Sequence, residues 1–356
     1  MTSKQRVMAA LNFQQPDRVP TGPWAFWSEF RDAWREQTGA DEPIEDHFCE
    51  DVWIAVADET PYPGLARTIG TEGEYTLSRD GWGQTKRTRE GGSFFEQIEV
   101  AYDADGALRH GEFEDPALDA RYAGVDAVID ERKERYCVFA KIGGPFIRTG
   151  FMRGETQWLM DLAADPQMAA EMAMRTARHI TQIGLESLRR WDLYDTGVWV
   201  FDDMAATKGP MFSPATAEAV LAPAWAHIVD SFKRAGAAKV ILHSDGNIGP
   251  LLDLFIDLGF DGINPVEYHV GLNPLQLRER YGDRLALLGG LDNAHILPRG
   301  QRAELREHVL DVLRAGADGG FVLATHSVGP DISVDTMEYV RELMLQFGQY
   351  PMAWVR

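Results

Sequence analysis

The sequence is poor in cysteine. Cys49 and Cys137 are its only two, far apart and in no CxxC pair. That excludes a disulfide framework and a thiolate zinc cluster, and it suits a reducing, cytoplasmic setting. The chain also lacks an excess of positive charge. Over 356 residues its formal net charge is −20. A surface of that sign repels phosphate backbones and anionic membranes, so nucleic-acid and membrane partners are not expected. No apolar run approaches the length of a membrane span, and MTSKQRVMAALNF reads as a short amphipathic helix rather than a signal peptide. Neither a GxGxxG after the first strand nor a P-loop is present, which argues against dinucleotide or nucleotide binding through those loops.

What remains is a chain that is 45% hydrophobic, enough for a large core. The first half is irregular. RVPTGPWAF (18–26) reads as a strand, 28–60 as helical and loop-rich, and 73–103 as a β-hairpin excursion, since EYTLSRDGWGQTKRT and SFFEQIEVAY alternate around glycine-rich turns. From about 136 onward apolar runs of strand length alternate with amphipathic helices. The runs are CVFAKIGGPF, VWVFDD, KVILHSD, GINPVE, LALLGGLD and GGFVLAT. One helix starts at Ser213-Pro214, a cap followed by a first-turn proline. Continuous apolar strands between helices predict a parallel sheet covered on its faces. With the strand near 20 these make seven, and DVWIAVA (51–57) offers an eighth. The expectation is an α/β fold of the (β/α)8 TIM-barrel type. It would be a single domain over 1–356, with an N-terminal helical and β-hairpin elaboration.

In such barrels chemistry sits at the C-terminal strand ends. Five successive strands here deliver polar residues to that end: Asp202 and Asp203, then His243 and Asp245, then Glu267 with His269, then Asp292, then His326. An aspartate after a strand also caps helices and turns, so Asp292 has that bland alternative. Asp202 and Asp203 cannot both face the mouth, because side chains alternate along a strand. His243 and Asp245 are two apart and share a face. With His326 and Glu267 from other strands they suit one divalent metal, zinc with an open position, manganese or iron. Trp24, Phe26 and Trp27 stand where a substrate would stack, or pack the rim.

These residues lie in longer stretches, namely KQRVMAALNFQQPDRVP, GGPF at 143–146, FDDMAATKGPMFSP, ILHSDGNIGPLLDLFIDLGFDGINPVE, LLGGLDNAHIL and GGFVLATHSVGPDIS. Together they resemble the uroporphyrinogen decarboxylase superfamily, and in particular its zinc-dependent, corrinoid-linked methyltransferase branch. The resemblance implies a (β/α)8 barrel. The arginine-rich motif by which the porphyrin decarboxylases hold their substrate is absent; WAFWSEFRDAWRE offers only Arg31 and Arg35. In the methyltransferase branch the strand ending at His243 carries His-x-Cys, and a further cysteine lies at position 326. Here those cysteines are Asp245 and His326, which implies a harder metal site.

The activity implied is methyl transfer between a small methoxylated or methylated substrate and a corrinoid on a separate protein, since no DxHxxG stretch is present. Glu267, Asp203 and His269 are the acids for the departing oxygen, and Asp292 joins the aromatics as a substrate contact. The alternatives are a cofactor-free decarboxylase of a carboxylated substrate, and a non-catalytic binding barrel. Pairing of two copies is a further expectation.

Overall fold

Seven apolar runs pair side by side, and the order in the sheet is the order in the chain. The computed structural model describes residues 1–89 and 94–355. Among them the parallel strands are β1 (Val52–Val56), β2 (Cys137–Gly143), β3 (Gly197–Phe201), β4 (Lys239–His243), β5 (Gly262–Val266), β6 (Ala286–Gly290) and β7 (Phe321–Ala324). Helices fill the connections, as parallel pairing requires. Ser213 caps one of them by accepting Thr216 N–H, and Asn273 caps another through Leu275 and Gln276. The result is a curled seven-stranded sheet, consistent with a TIM-like barrel.

The two edges of the sheet meet through an extended segment. Leu323 N–H donates to Pro20 O, Gly22 N–H to Leu323 O and Asp51 N–H to Thr21 O, each at 2.9 Å. The strand expected over 18–26 is therefore reduced to isolated bridges at Arg18, Thr21 and Phe26. Pro20 and Pro23 have no N–H to give, and a ladder cannot run through them. The weaker run at 52–56 is the true strand. Asp51, 1% exposed, anchors this corner by taking Arg6 Nη1 at 2.7 Å, Arg18 Nη1 at 2.8 Å and Thr21 N–H at 3.0 Å.

The N-terminal helix Ser3–Leu11 begins with a capping box between Thr2 and Gln5. It plugs the N-terminal end of the curled sheet. Val7 and Leu11 pack with Val52, Cys137, Phe139, Trp199, Ile241, Ala286, Leu288 and Val322, the inward residues of the strands. The expected hairpin is a four-stranded antiparallel sheet of 67–72, 75–79, 85–89 and 95–99. Residues 90–93, inside that excursion, lie outside the described residues. A groove of about 850 Å³ separates this sheet from the helices over 145–164. It is lined by Trp82, Phe95, Phe151 and Met160, and no expected site residue borders it.

Candidate metal centre

Just past the end of β3 its alternation continues and separates Asp202 from Asp203. Asp202 turns outward and is fully buried. Its Oδ1 accepts Ile147 N–H at 2.8 Å; its Oδ2 accepts Phe146 N–H at 3.3 Å and Trp225 Nε1 at 2.7 Å. It thus caps the helix Pro145–Arg153, the continuation of the GGPF stretch. A Cβ at Gly144 would overlap the Asp202 carboxyl, so only glycine fits there. Burial pushes this carboxyl up to about 7, against three donors that favour its charged form.

Asp203 turns into the mouth and joins His243 and Asp245. One ligand atom from each lies within 4.8 Å of the others. His243 Nε2 stands 3.5 Å from Asp245 Oδ1 and 3.7 Å from Asp203 Oδ1. Its Nδ1 is 2.6 Å from Asn264 Oδ1, and its ring stacks on Phe201 at 4.1 Å between centroids. Burial lowers the His243 pKa despite the nearby carboxylates, which keeps the imidazole neutral and able to offer a lone pair. Asp245 N–H donates to Asp203 Oδ1 at 3.1 Å. Asp245 Oδ1 is buried with no hydrogen-bond partner among the described residues. A buried carboxylate oxygen aimed at an imidazole and a second carboxylate, and bonded to nothing, is what a cation would satisfy. One imidazole with carboxylate oxygens suits zinc or another divalent metal.

His326 adjoins this group rather than standing in it. Its Nε2 is 3.0 Å from Asp245 Oδ2, and that hydrogen bond raises its pKa. Burial alone would raise Asp245, but the bond from His326 and the field of His243 hold it below the usual carboxylate range. Glu267 is also outside the triad; its Oε2 accepts Gly246 N–H. His269 lies further round the rim beside His295, with ring centroids 5.8 Å apart. Asp292 Oδ1 accepts Ala294 and His295 N–H, the turn role open to it from the start.

The three aromatics divide. Trp24 and Phe26 are 2% and 6% exposed and belong to the core, not to a substrate platform. Trp24 Nε1 donates to Phe48 O at 3.1 Å, and Phe26 packs on Phe30 and Phe48 as the helix Ser28–Thr38 closes over them. Trp27 is exposed, and its backbone N–H bonds Val328 O in the loop after His326. Sequence reasoning passed over Asn264 and Lys141. The signal for both was a polar side chain inside an otherwise apolar strand, at a position whose parity points inward.

A sequence profile described as uroporphyrinogen decarboxylase (URO-D) matches residues 88–346. Among solved structures, a methyltransferase from Methanosarcina mazei is similar, with a TM-score of 0.69 at 15% identity, covering 98% of this chain and 99% of that one. No curated protein matches the sequence.

Proposed function

The chain belongs to the uroporphyrinogen decarboxylase family, and from that premise we propose that it is a metal-dependent methyltransferase or demethylase. It moves a methyl group between a small methoxylated or methylated substrate and a corrinoid carried by a separate protein. The scaffold is a single (β/α)8 domain, with the segment around Thr21 in the place of the first strand. The observation that carries the proposal is the Asp203–His243–Asp245 triad with its unpartnered, buried Asp245 Oδ1. The solved structure described as a methyltransferase supports the choice of branch.

Asp203, His243 and Asp245 would hold zinc or another divalent metal, and when bound it supplies Lewis acidity to an ether or hydroxyl oxygen. Asn264 holds the His243 Nδ1 proton, so Nε2 faces the site. Glu267 and His326 flank Asp245 and are the groups placed to give a proton to a departing oxygen. His326 is the more ready donor, since Asp245 favours its charged form. Asp203, an expected acid, is taken up by the ligand group instead.

Elemental analysis tests the proposal. About one divalent ion per chain is expected in protein reconstituted with zinc, and His243→Ala should lose it. Absence of bound metal in the wild-type protein refutes it. Methyl transfer from a methoxylated aromatic to reduced cobalamin, followed by absorbance, tests the reaction. Release of CO2 from a carboxylated substrate with no methyl transfer would establish the lyase alternative.

A further inference from the structure

Beside the triad the wall of the mouth carries an unbalanced charge. Lys141 stands on β2, paired in register with Trp199 of β3 and Val56 of β1. Paired residues of a parallel sheet share a face. Trp199 belongs to the barrel interior, so Lys141 points inward above Phe139. Val56, its neighbour in the same layer, is 52% exposed, so this part of the mouth is open to solvent. Lys141 Nζ lies 5.5 Å from the centre of the Phe201 ring, and that ring stacks on His243. One aromatic ring separates the ammonium from the imidazole of the triad.

Glu59 is the shared counter-ion. Its Oε1 accepts from Lys141 Nζ at 2.6 Å and also from Arg148 Nη2, while its Oε2 accepts Gly143 N–H. One carboxylate thus serves two cations. Arg148 cannot swing away, because its guanidinium lies against the rings of Trp82 and Phe151 at 5.0 and 5.1 Å. Its Nε is buried with no acceptor among the described residues. Among the same residues Lys141 has no acceptor but Glu59, although an ammonium carries three N–H groups. A half-buried excess charge with unused donors suits an anion. Burial and the neighbouring Arg148 lower the Lys141 pKa, while Glu59 and, least of the causes, Asp203 act against them.

We infer that Lys141, backed by Glu59 and Arg148, forms an anion subsite that takes a carboxylate of the small-molecule substrate. This deepens the methyl-transfer proposal and rests on it in taking the mouth as the substrate site. The chemistry of the two ends gives the class: an aromatic acid with an ether oxygen for the triad and a carboxylate for Lys141.

Calorimetric titration tests it with three probes, 4-methoxybenzoate, its uncharged amide and inorganic phosphate. The proteins are the zinc-reconstituted wild type, Lys141→Met and Lys141→Arg. The wild type should bind the acid about tenfold or more tighter than the amide, the size expected of a hydrogen bond to a charged group. Lys141→Met should lose that preference, Lys141→Arg should regain part of it, and all three should bind zinc alike. Equal binding of acid and amide by the wild type overturns the inference. So does a Lys141→Met protein that melts lower yet keeps the preference, for then the cluster only braces the wall. If Lys141→Met does not fold, the wild-type comparison and Lys141→Arg decide; loss of the preference in Lys141→Arg to a preference for phosphate refutes the carboxylate assignment. Preference for the acid in a protein that binds no zinc would refute the metal proposal and leave this subsite standing.

Discussion

Asn264→Ala should weaken metal binding without touching a ligand. Asn264 Oδ1 lies 2.6 Å from His243 Nδ1, and its Nδ2 reaches Leu288 O at 3.4 Å. The carbonyl behind it sets the orientation of the amide, so His243 carries its proton on Nδ1 and offers the Nε2 lone pair to the triad. Alanine removes the acceptor. The imidazole then loses a hydrogen bond of about 1 kcal/mol and the restraint on its tautomer and tilt. Partners of this kind are worth roughly ten- to hundredfold in metal affinity, or about 1.4 to 2.7 kcal/mol.

The assay is competition for zinc against a chromophoric chelator, repeated by thermal melting. At free zinc about one hundred times the wild-type Kd, the metal adds about 2.7 kcal/mol to stability; a site a hundredfold weaker keeps only about 0.4 kcal/mol. The zinc-dependent rise in Tm should therefore fall to about half or less in the variant, while its metal-free Tm moves little. An affinity within about threefold of wild type would refute the assignment of Asn264 as the orienting partner.

Three further outcomes are expected. Asp202→Ala strands three buried donors and should cost about 3 to 5 kcal/mol in denaturant unfolding while zinc stoichiometry stays at wild type, which separates Asp202 from Asp203. Because burial holds the Asp202 carboxyl at about 7, the fold keeps its proton where the unfolded chain has lost it, so this group's contribution to stability falls as pH rises from about 4 to about 7 and is flat above. Relative to Asp202→Asn, the wild type should lose about 3 kcal/mol between about pH 5 and pH 8, and parallel profiles would contradict this. Asp51→Ala leaves Arg6 and Arg18 without their carboxylate at the corner where the sheet edges meet, and should cost about 3 to 5 kcal/mol by the same measurement; a loss under about 1 kcal/mol would contradict it.

The βα rhythm from 136 onward was legible because it is local. Each strand is a short apolar run, and caps such as Ser213 and Asn273 mark where helices begin whatever lies across the sheet. His243 and Asp245 were legible for the same reason, since parity along one strand puts both on one face. The N-terminal part was less so. Prolines at 20 and 23 turned an expected strand into isolated bridges, and the excursion gained strands because antiparallel partners are chosen by pairing across the sheet, not by pattern within a strand.

Composition, alternation and strand-end chemistry thus determined, from the chain alone, a helix-covered parallel sheet and a His–Asp pair at its mouth. Which other ends meet that pair was settled by register and curl. These brought Asp203 beside His243, turned Asp202 outward to cap a helix, and set His326 on Asp245. They also set Lys141 one ring away, over a glutamate 82 residues earlier. Such choices depend on contacts between residues distant in sequence, and no spacing along the chain encodes those distances.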